Sequence, residues 1–264
     1  MDRLSSPLAL LFASLSAHAV EVVPAPQWQR HFQAVGAQGT FVLYDPALDQ
    51  YRILDETRAR RGFLPASTFK VPNAVIGLEV GAIADEREVF RWDGKPQLRP
   101  EWERDHTLAS GMKESVVWMF QEVARRVGKA RMKEWLARFE YGNRNVGGGL
   151  DHFWLQGELR ITALQQVAFL HKLSEGRLPA TQRAQRLVRE AMVVEKTREH
   201  TLYAKTGSTG GKGAVHWWVG WVERRGKPVA YFAMNLDVGP QTKFEDRFRI
   251  TRAILDEVAA LPAG

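Results

Sequence analysis

The 264-residue chain contains no cysteine. That excludes thiol nucleophiles, thiolate metal sites and disulfide stapling. Its seven histidines show no H-x-x-x-H or comparable spacing, so no zinc centre and no other metal site is expected. His152 reads as a loop residue. A basic block interleaved with aromatics is also missing, because 37 Lys and Arg are scattered among 30 Asp and Glu. The net charge of +7 therefore reads as a basic, solvated surface and not as a nucleic-acid site. Such a surface still favours anionic small molecules. "RARR" at 58–61 reads as a solvated connection. There is no internal repeat, low-complexity tract or flexible linker. With 45% hydrophobic and 25% charged residues, the chain can build a full core in one large domain or two intimate lobes.

Long apolar runs are absent too. At the N-terminus, Arg3 is followed by "PLALLFASLSAHA", which ends in Ala17-His18-Ala19. An apolar run of about a dozen residues is too short to span a bilayer. It reads as a secretory signal, residues 1–19, cleaved after Ala19; a buried N-terminal helix is the alternative. The mature protein is then expected to be soluble and periplasmic, without membrane attachment.

Residues 39–44 ("GTFVLY") and 51–55 ("YRILD") read as strands joined by a turn. From about residue 66 to about residue 190 the pattern is helical. It includes "SVVWMFQEVARRVG" from Ser115 and "ITALQQVAFLHKL", with Thr162 as N-cap. Glu114 beside Ser115 reads as a helix N-terminal acid and not as a general base. Strands return at 200–207, 216–224 and 228–238, and a helix over 247–261 closes the chain. The three late strands are spaced as an antiparallel meander. "HWWVGWVE" alternates as a half-buried strand, so most of the nine tryptophans are assigned to core packing. The fold class expected is α+β: an antiparallel sheet flanked by helices, with an inserted all-helical lobe. Residues 20–61 and 200–264 supply the sheet lobe and residues 62–199 the helical lobe, in one domain with a cleft between them.

"PASTFKVPNA" at 65–74 is small and apolar yet holds Ser67 and Lys70. At i and i+3 they share a helical face, with Pro65 suited to the first turn. A serine hydroxyl is a poor nucleophile until a base takes its proton, and a lysine serves as that base only when neutral. Burial beside residues such as Phe69 and Val71 favours the neutral amine. Alone, S-x-x-K is a weak signal. It gains weight from Lys205-Thr206-Gly207, which ends the strand "HTLYAKTG". There Lys205 can supply positive charge, and Gly207 permits close approach of a substrate.

Pro65-Ala66-Ser67-Thr68-Phe69-Lys70, Ser115-Val116-Val117, Tyr141-Gly142-Asn143, Phe153-Trp154-Leu155, Lys205-Thr206-Gly207 and Trp218-Val219-Gly220-Trp221 occur in that order. In these motifs the chain resembles the class D serine β-lactamases, or oxacillinases, from about Trp28 to Leu261. Class A relatives carry Ser-Asp-Asn where this chain has Ser115-Val116-Val117, and class C enzymes are considerably longer. The apolar Val117 favours neutral amine at Lys70.

The resemblance implies β-lactam hydrolysis through a Ser67 acyl-enzyme. It implies a Lys70 N-carboxylated by carbon dioxide or bicarbonate (N6-carboxylysine), acting as base in both half-reactions, with no other cofactor. By the same resemblance Trp154 would donate to that group, while Phe69, Val117 and Leu155 keep it dry. Ser115 would relay a proton to the lactam nitrogen. Lys205, Thr206 and Gly207 would bind the substrate, with Arg247 adding fork-like contacts to its carboxylate. The backbone N–H groups of Ser67 and Ser208 would form the oxyanion hole. Tyr141, Gly142 and Asn143 would hold a loop at the cleft rim. Two departures concern substrate range: Ser208 replaces the family's usual aromatic, and "STGGKGAVH" is long and glycine-rich. A β-lactam sensor acylated without turnover and a DD-peptidase are the competing readings. The partner expected is a small-molecule β-lactam, with no nucleic acid, on a monomer or homodimer.

Overall fold

The computed structural model describes residues 20–261; the expected signal segment lies outside the described residues. Seven strands form one sheet among them. They are β1 (Glu21–Pro24), β2 (Gly39–Asp45), β3 (Gln50–Leu54), β4 (Val193–Lys196), β5 (His200–Ser208), β6 (Val215–Arg224) and β7 (Lys227–Asp237). Their spatial order is β1-β3-β2-β7-β6-β5-β4. The β5-β6-β7 meander is present as the short connections predict. The sheet is antiparallel except at one edge, where β1 runs parallel to β3. The edge strands β1 and β4 were not foreseen. Each has four residues, too few for an alternating pattern to show.

Alternation along the strands builds two cores. Val42, Ile53, Trp217, Val219, Trp221, Tyr231 and Ala233 face the helical lobe. Phe41, Leu43, Leu54, Trp218, Phe232 and Met234 face the opposite layer, where α1 (Gln29–Gln33) and α9 (Asp246–Glu257) lie. The expectation of a half-buried β6 is therefore corrected. Trp217, Trp218 and Trp221 are 0%, 3% and 0% exposed, because helices cover both faces of the central strands. Core packing is what these tryptophans do.

The inserted segment is not continuously helical. It carries α3 (Lys70–Glu79), α4 (Leu108–Lys113), α5 (Val117–Val127), α6 (Lys129–Arg138), α7 (Ala163–Ser174) and α8 (Gln182–Ala191). Long irregular stretches separate α3 from α4 and α6 from α7. In α3, residues 70–78 are all buried, so it is apolar all round and runs through the lobe's interior. Thr162 caps α7 as expected. Its Oγ1 accepts the Gln165 N–H at 3.0 Å while the Gln165 side chain accepts the Thr162 N–H at 3.0 Å, a reciprocal cap.

The "RARR" segment is only partly solvated. It overlaps α2 (Glu56–Ala59), and Arg58 donates to both Asp237 carboxylate oxygens and to Asn235 Oδ1, each at 2.8 Å. Such a bidentate pair fixes the helix against β7.

Candidate active site

The turn carrying Ser67 is clamped on all sides. A 3-10 helix spans Ala66–Phe69 and leads directly into α3. Phe63 and Ile161 exchange backbone hydrogen bonds at 3.0 and 2.9 Å, and the Ala66 N–H donates to the Trp154 carbonyl at 3.0 Å. The Trp217 indole N–H, from β6, donates to the Leu64 carbonyl at 2.9 Å. Thr68 Oγ1 donates to the Pro65 carbonyl at 2.7 Å and accepts from Gln166 Nε2 at 2.8 Å. Gly207 on β5 completes the clamp. A Cβ there would stand 2.8 Å from the Pro65 oxygen, so strand and turn touch backbone to backbone.

Lys70 Nζ lies 2.6 Å from Ser67 Oγ, as the i, i+3 spacing predicts. Ser67 is half-buried, whereas Lys70 is 0% exposed. Desolvation pushes the Lys70 pKa well below the ordinary lysine value, with Lys205 and Arg99 repelling in the same direction. A neutral amine is thus the favoured state, and its lone pair can accept the serine proton. Phe69 is fully buried, and Val117 and Leu155 are half-buried. The Phe120 ring centroid stands 5.7 Å from Nζ. Phe120 was not among the sequence-derived candidates. Its signal was available, since it follows Val117 by three residues on the same helical face.

Trp154 is 0% exposed and stacks on Phe69 at 5.2 Å. Its indole N–H is buried without a hydrogen-bond partner. A buried donor left unpaired costs about 1–3 kcal/mol, so the position is set up for an acceptor.

Ser115 is placed differently from the helical reading. It precedes α5, in left-handed backbone at φ 58°. Val116 is the N-cap of α5, and Glu114 closes the C-terminal end of α4. The Glu114 carbonyl accepts the Trp102 indole N–H at 2.9 Å. The acid is therefore not in the first turn of a helix, and the dipole role is withdrawn. Ala66, beside the nucleophile, is also left-handed at φ 48°.

Ser115 Oγ accepts from Lys205 Nζ at 2.9 Å; Nζ also lies 3.3 Å from the Thr206 carbonyl and 3.4 Å from its hydroxyl. The structure thus holds two serine–lysine pairs, Ser67 with Lys70 and Ser115 with Lys205. Burial, then Arg247 and Arg99, lower the Lys205 pKa to about 7. Its positive charge is accordingly partial at neutral pH.

The ladder shows where the backbone of β5 points. The Thr209 N–H donates to the Val215 carbonyl at 3.0 Å, which makes 209/215 a bonded pair. The neighbouring pair Ser208/His216 is then non-bonded, and the Ser208 N–H points away from β6. On that side β4 pairs only with Thr201–Tyr203, so the stretch at Thr206–Ser208 is uncovered beside the Ser67 turn. The "STGGKGAVH" segment contributes the end of β5 and a loop over 209–214.

Arg247 departs from expectation. It is fully buried in α9, its Nε donates to the Phe244 carbonyl at 2.8 Å, and Nη1 reaches Gly207 O, Ser208 Oγ and Trp217 O at 3.0–3.2 Å. Only Nη2 is without a partner. Nη1 braces the ends of β5 and β6 and Nε holds the segment before α9, so no two adjacent nitrogens are left free to fork a carboxylate.

The Tyr141-Gly142-Asn143 motif is structural, but Tyr141 sits in the core, edge-on to Phe69 at 5.8 Å. Asn143 Nδ2 donates to the Glu158 carbonyl and its Oδ1 accepts the Arg160 N–H, both at 2.9 Å. His152 lies in a loop, paired with Asp151. No cluster of metal-ligating side chains occurs among the described residues, and no described helix is long and apolar enough to cross a membrane.

Comparison with known proteins agrees with this geometry. Residues 39–256 match the penicillin binding protein transpeptidase domain family. The β-lactamase OXA-5 of Pseudomonas aeruginosa is 42% identical over 268 residues, covering 100% of both chains. The β-lactamase OXA-48 of Klebsiella pneumoniae is 42% identical over 236 residues, covering 89% of each. Among solved structures, FUS-1 (OXA-85), a class D β-lactamase from Fusobacterium nucleatum subsp. polymorphum, superposes with a TM-score of 0.87 at 33% identity, covering 90% of this chain and 99% of that one. The class D β-lactamase YbXI from Nostoc gives 0.85 at 33% identity, covering 89% and 99%. With one relative aligned over its full length and the backbone shared over about nine-tenths of the chain, the chain belongs to the class D serine β-lactamases, hydrolases that act on β-lactams.

Proposed function

We propose that this enzyme hydrolyses β-lactams through an ester on Ser67, with Lys70 as the base that activates it. The observation that carries the reading is the 2.6 Å approach of a fully buried lysine amine to Ser67 Oγ. Ser67 Oγ attacks the lactam carbonyl carbon and its proton passes to the base at Lys70. The carbonyl oxygen, as it gains charge, takes hydrogen bonds from the backbone N–H groups of Ser67 and Ser208. Cleavage of the C–N bond leaves a nitrogen that takes the Ser115 hydroxyl proton, and Lys205 Nζ restores it across the 2.9 Å contact. The substrate carboxylate lies toward Lys205, Thr206 and Gly207. Arg247 positions that strand end and has only Nη2 left for the ligand. Binding an anion beside Lys205 draws its depressed pKa back up, so the charge strengthens on binding. Exchange with solvent returns the base at Lys70 to its unprotonated form and Lys205 to its protonated one; water then attacks the ester, its proton passing to the base at Lys70 and from there to the departing Ser67 Oγ as the ring-opened acid leaves.

The chain's residues fit an N-carboxylated Lys70. The unpartnered Trp154 N–H supplies a donor, the neutral amine is the form that reacts with carbon dioxide, and Phe69, Phe120, Val117 and Leu155 limit competing water. Such a carboxylate would supply an anionic base to both half-reactions in place of the amine. We further propose that the protein acts in the periplasm after loss of its N-terminal segment.

The test combines intact-mass analysis with turnover of a chromogenic cephalosporin, with and without bicarbonate. Many turnovers, an acyl adduct of the cephalosporin on Ser67 that is lost in Ser67→Ala, and bicarbonate-dependent recovery after acid dialysis are expected. An adduct that persists in Ser67→Ala would overturn the assignment of the nucleophile. Arrest after one equivalent would identify a trapped sensor.

A further inference from the structure

Arg99 belongs to no motif and sits in the irregular stretch before α4. It lines the same groove, about 400 Å³ in volume, as Ser115, Lys205, Thr206 and Phe244. Its guanidinium carbon stands 5.7 Å from the Trp102 ring centroid and 5.8 Å from that of Phe244. The first ring belongs to the helical lobe and the second to the segment entering α9, so Arg99 bridges the mouth of the cleft. Among the described residues Arg99 makes no ion pair, although Glu114 lines the same groove. Most ion pairs elsewhere in the structure engage an arginine, Arg58, Arg125 and Arg126 among them.

Three further facts point to an absent anion. The Arg247 guanidinium is almost fully committed to backbone carbonyls. Arg99 repels Lys70, Lys205 and Arg247 alike, contributing to the lowered pKa of each after desolvation. Arg99, Arg247 and the partly charged Lys205 thus repel one another here, and a bound anion relieves that repulsion. The exposed Arg99 guanidinium, near two aromatic faces and without an ion-pair partner among the described residues, keeps its planar fork for a carboxylate.

We propose that Arg99 is a second carboxylate-binding residue of this cleft, engaging a carboxylate carried by the bicyclic nucleus or by the side chain of the β-lactam. The inference rests on the Ser67 reading above and adds a specificity determinant to it. Arg99 takes over the bidentate role that Arg247 cannot fill while it braces β5.

The test compares wild type with Arg99→Met and Arg99→Lys on three penicillins at low and moderate salt. These are benzylpenicillin, with one carboxylate; carbenicillin, with a second on the side chain; and benzylpenicillin methyl ester, with none. Arg198→Met, an exposed site outside the groove, controls for net charge. Arg99→Met is expected to raise KM for a carboxylated substrate by about tenfold, to flatten its salt dependence, and to leave the ester least affected. Arg99→Lys should recover part of the loss. A loss shared by benzylpenicillin and carbenicillin assigns the nucleus carboxylate, and a loss confined to carbenicillin assigns the side-chain group. Equal loss on the ester, no loss at all, or an equal loss in Arg198→Met overturns the proposal. Intact mass of the Ser67 adduct in wild type and Arg99→Met keeps the two readings apart, because adduct formation in both leaves the nucleophile standing whatever Arg99 does.

Discussion

Replacing Lys205 by methionine is expected to change how stability responds to alkali. Burial, Arg247 and Arg99 lower the Lys205 pKa from 10.5 to about 7, so the folded state holds this proton less tightly than the unfolded chain. At about 1.4 kcal/mol per unit, the displacement corresponds to roughly 5 kcal/mol of destabilisation while both states are protonated, below the folded value. As pH rises above 7 the folded amine is already neutral while the unfolded one still carries its charge. The penalty therefore fades toward pH 10.5, and stability rises by about 2 kcal/mol between pH 7 and pH 9. Methionine keeps the apolar stem and removes the titration. Lys205→Met should thus be more stable than wild type near neutrality and should lose roughly half of that advantage by pH 9, while its KM for penicillins rises. Urea unfolding at half-unit pH intervals reads both slopes, and the difference between the two proteins reports position 205 together with the relief its removal gives Lys70. Parallel slopes would refute the claim that this ammonium is desolvated before substrate arrives.

Two other substitutions follow from the same cleft. Trp154→Phe keeps an aromatic ring beside Phe69 and deletes the unpartnered N–H together with the second ring; rapid-quench kinetics should show deacylation slowed by about tenfold to a hundredfold, partly recovered by bicarbonate, and an unchanged rate would remove the donor role. Gly207→Ala places a methyl 2.8 Å from the Pro65 carbonyl; Ser67 acylation by benzylpenicillin should collapse and Tm should fall, whereas acylation at the wild-type rate would contradict the close contact.

Much of this architecture is legible in the sequence, for physical reasons. Strong period-2 segments became β2, β5, β6 and β7, and the Thr162–Gln165 reciprocal cap fixed the start of α7. Ser67 and Lys70 are local, so their i, i+3 spacing was enough to foresee the contact. What stayed hidden depends on tertiary placement. β1 and β4 exist because a neighbouring strand offers its edge, not because four residues prefer extension. Ser115 looked helical by periodicity, but its left-handed backbone comes from the corner between α4 and α5. Arg247 was expected as a free fork, and nothing local reveals that carbonyls of Phe244, Gly207 and Trp217 would claim it. Arg99 carried no motif at all; only the path of the chain across the cleft gives it a neighbourhood.

The left-handed corners at Ala66 and Ser115 have an evolutionary consequence. Holding a side-chain-bearing residue there costs about 1–2 kcal/mol each, and glycine would lift that burden. A laboratory lineage selected for heat tolerance without drug pressure should drift to glycine at both positions. At 115 the same step deletes the hydroxyl that Lys205 holds. Robustness and resistance would then part ways at a single codon.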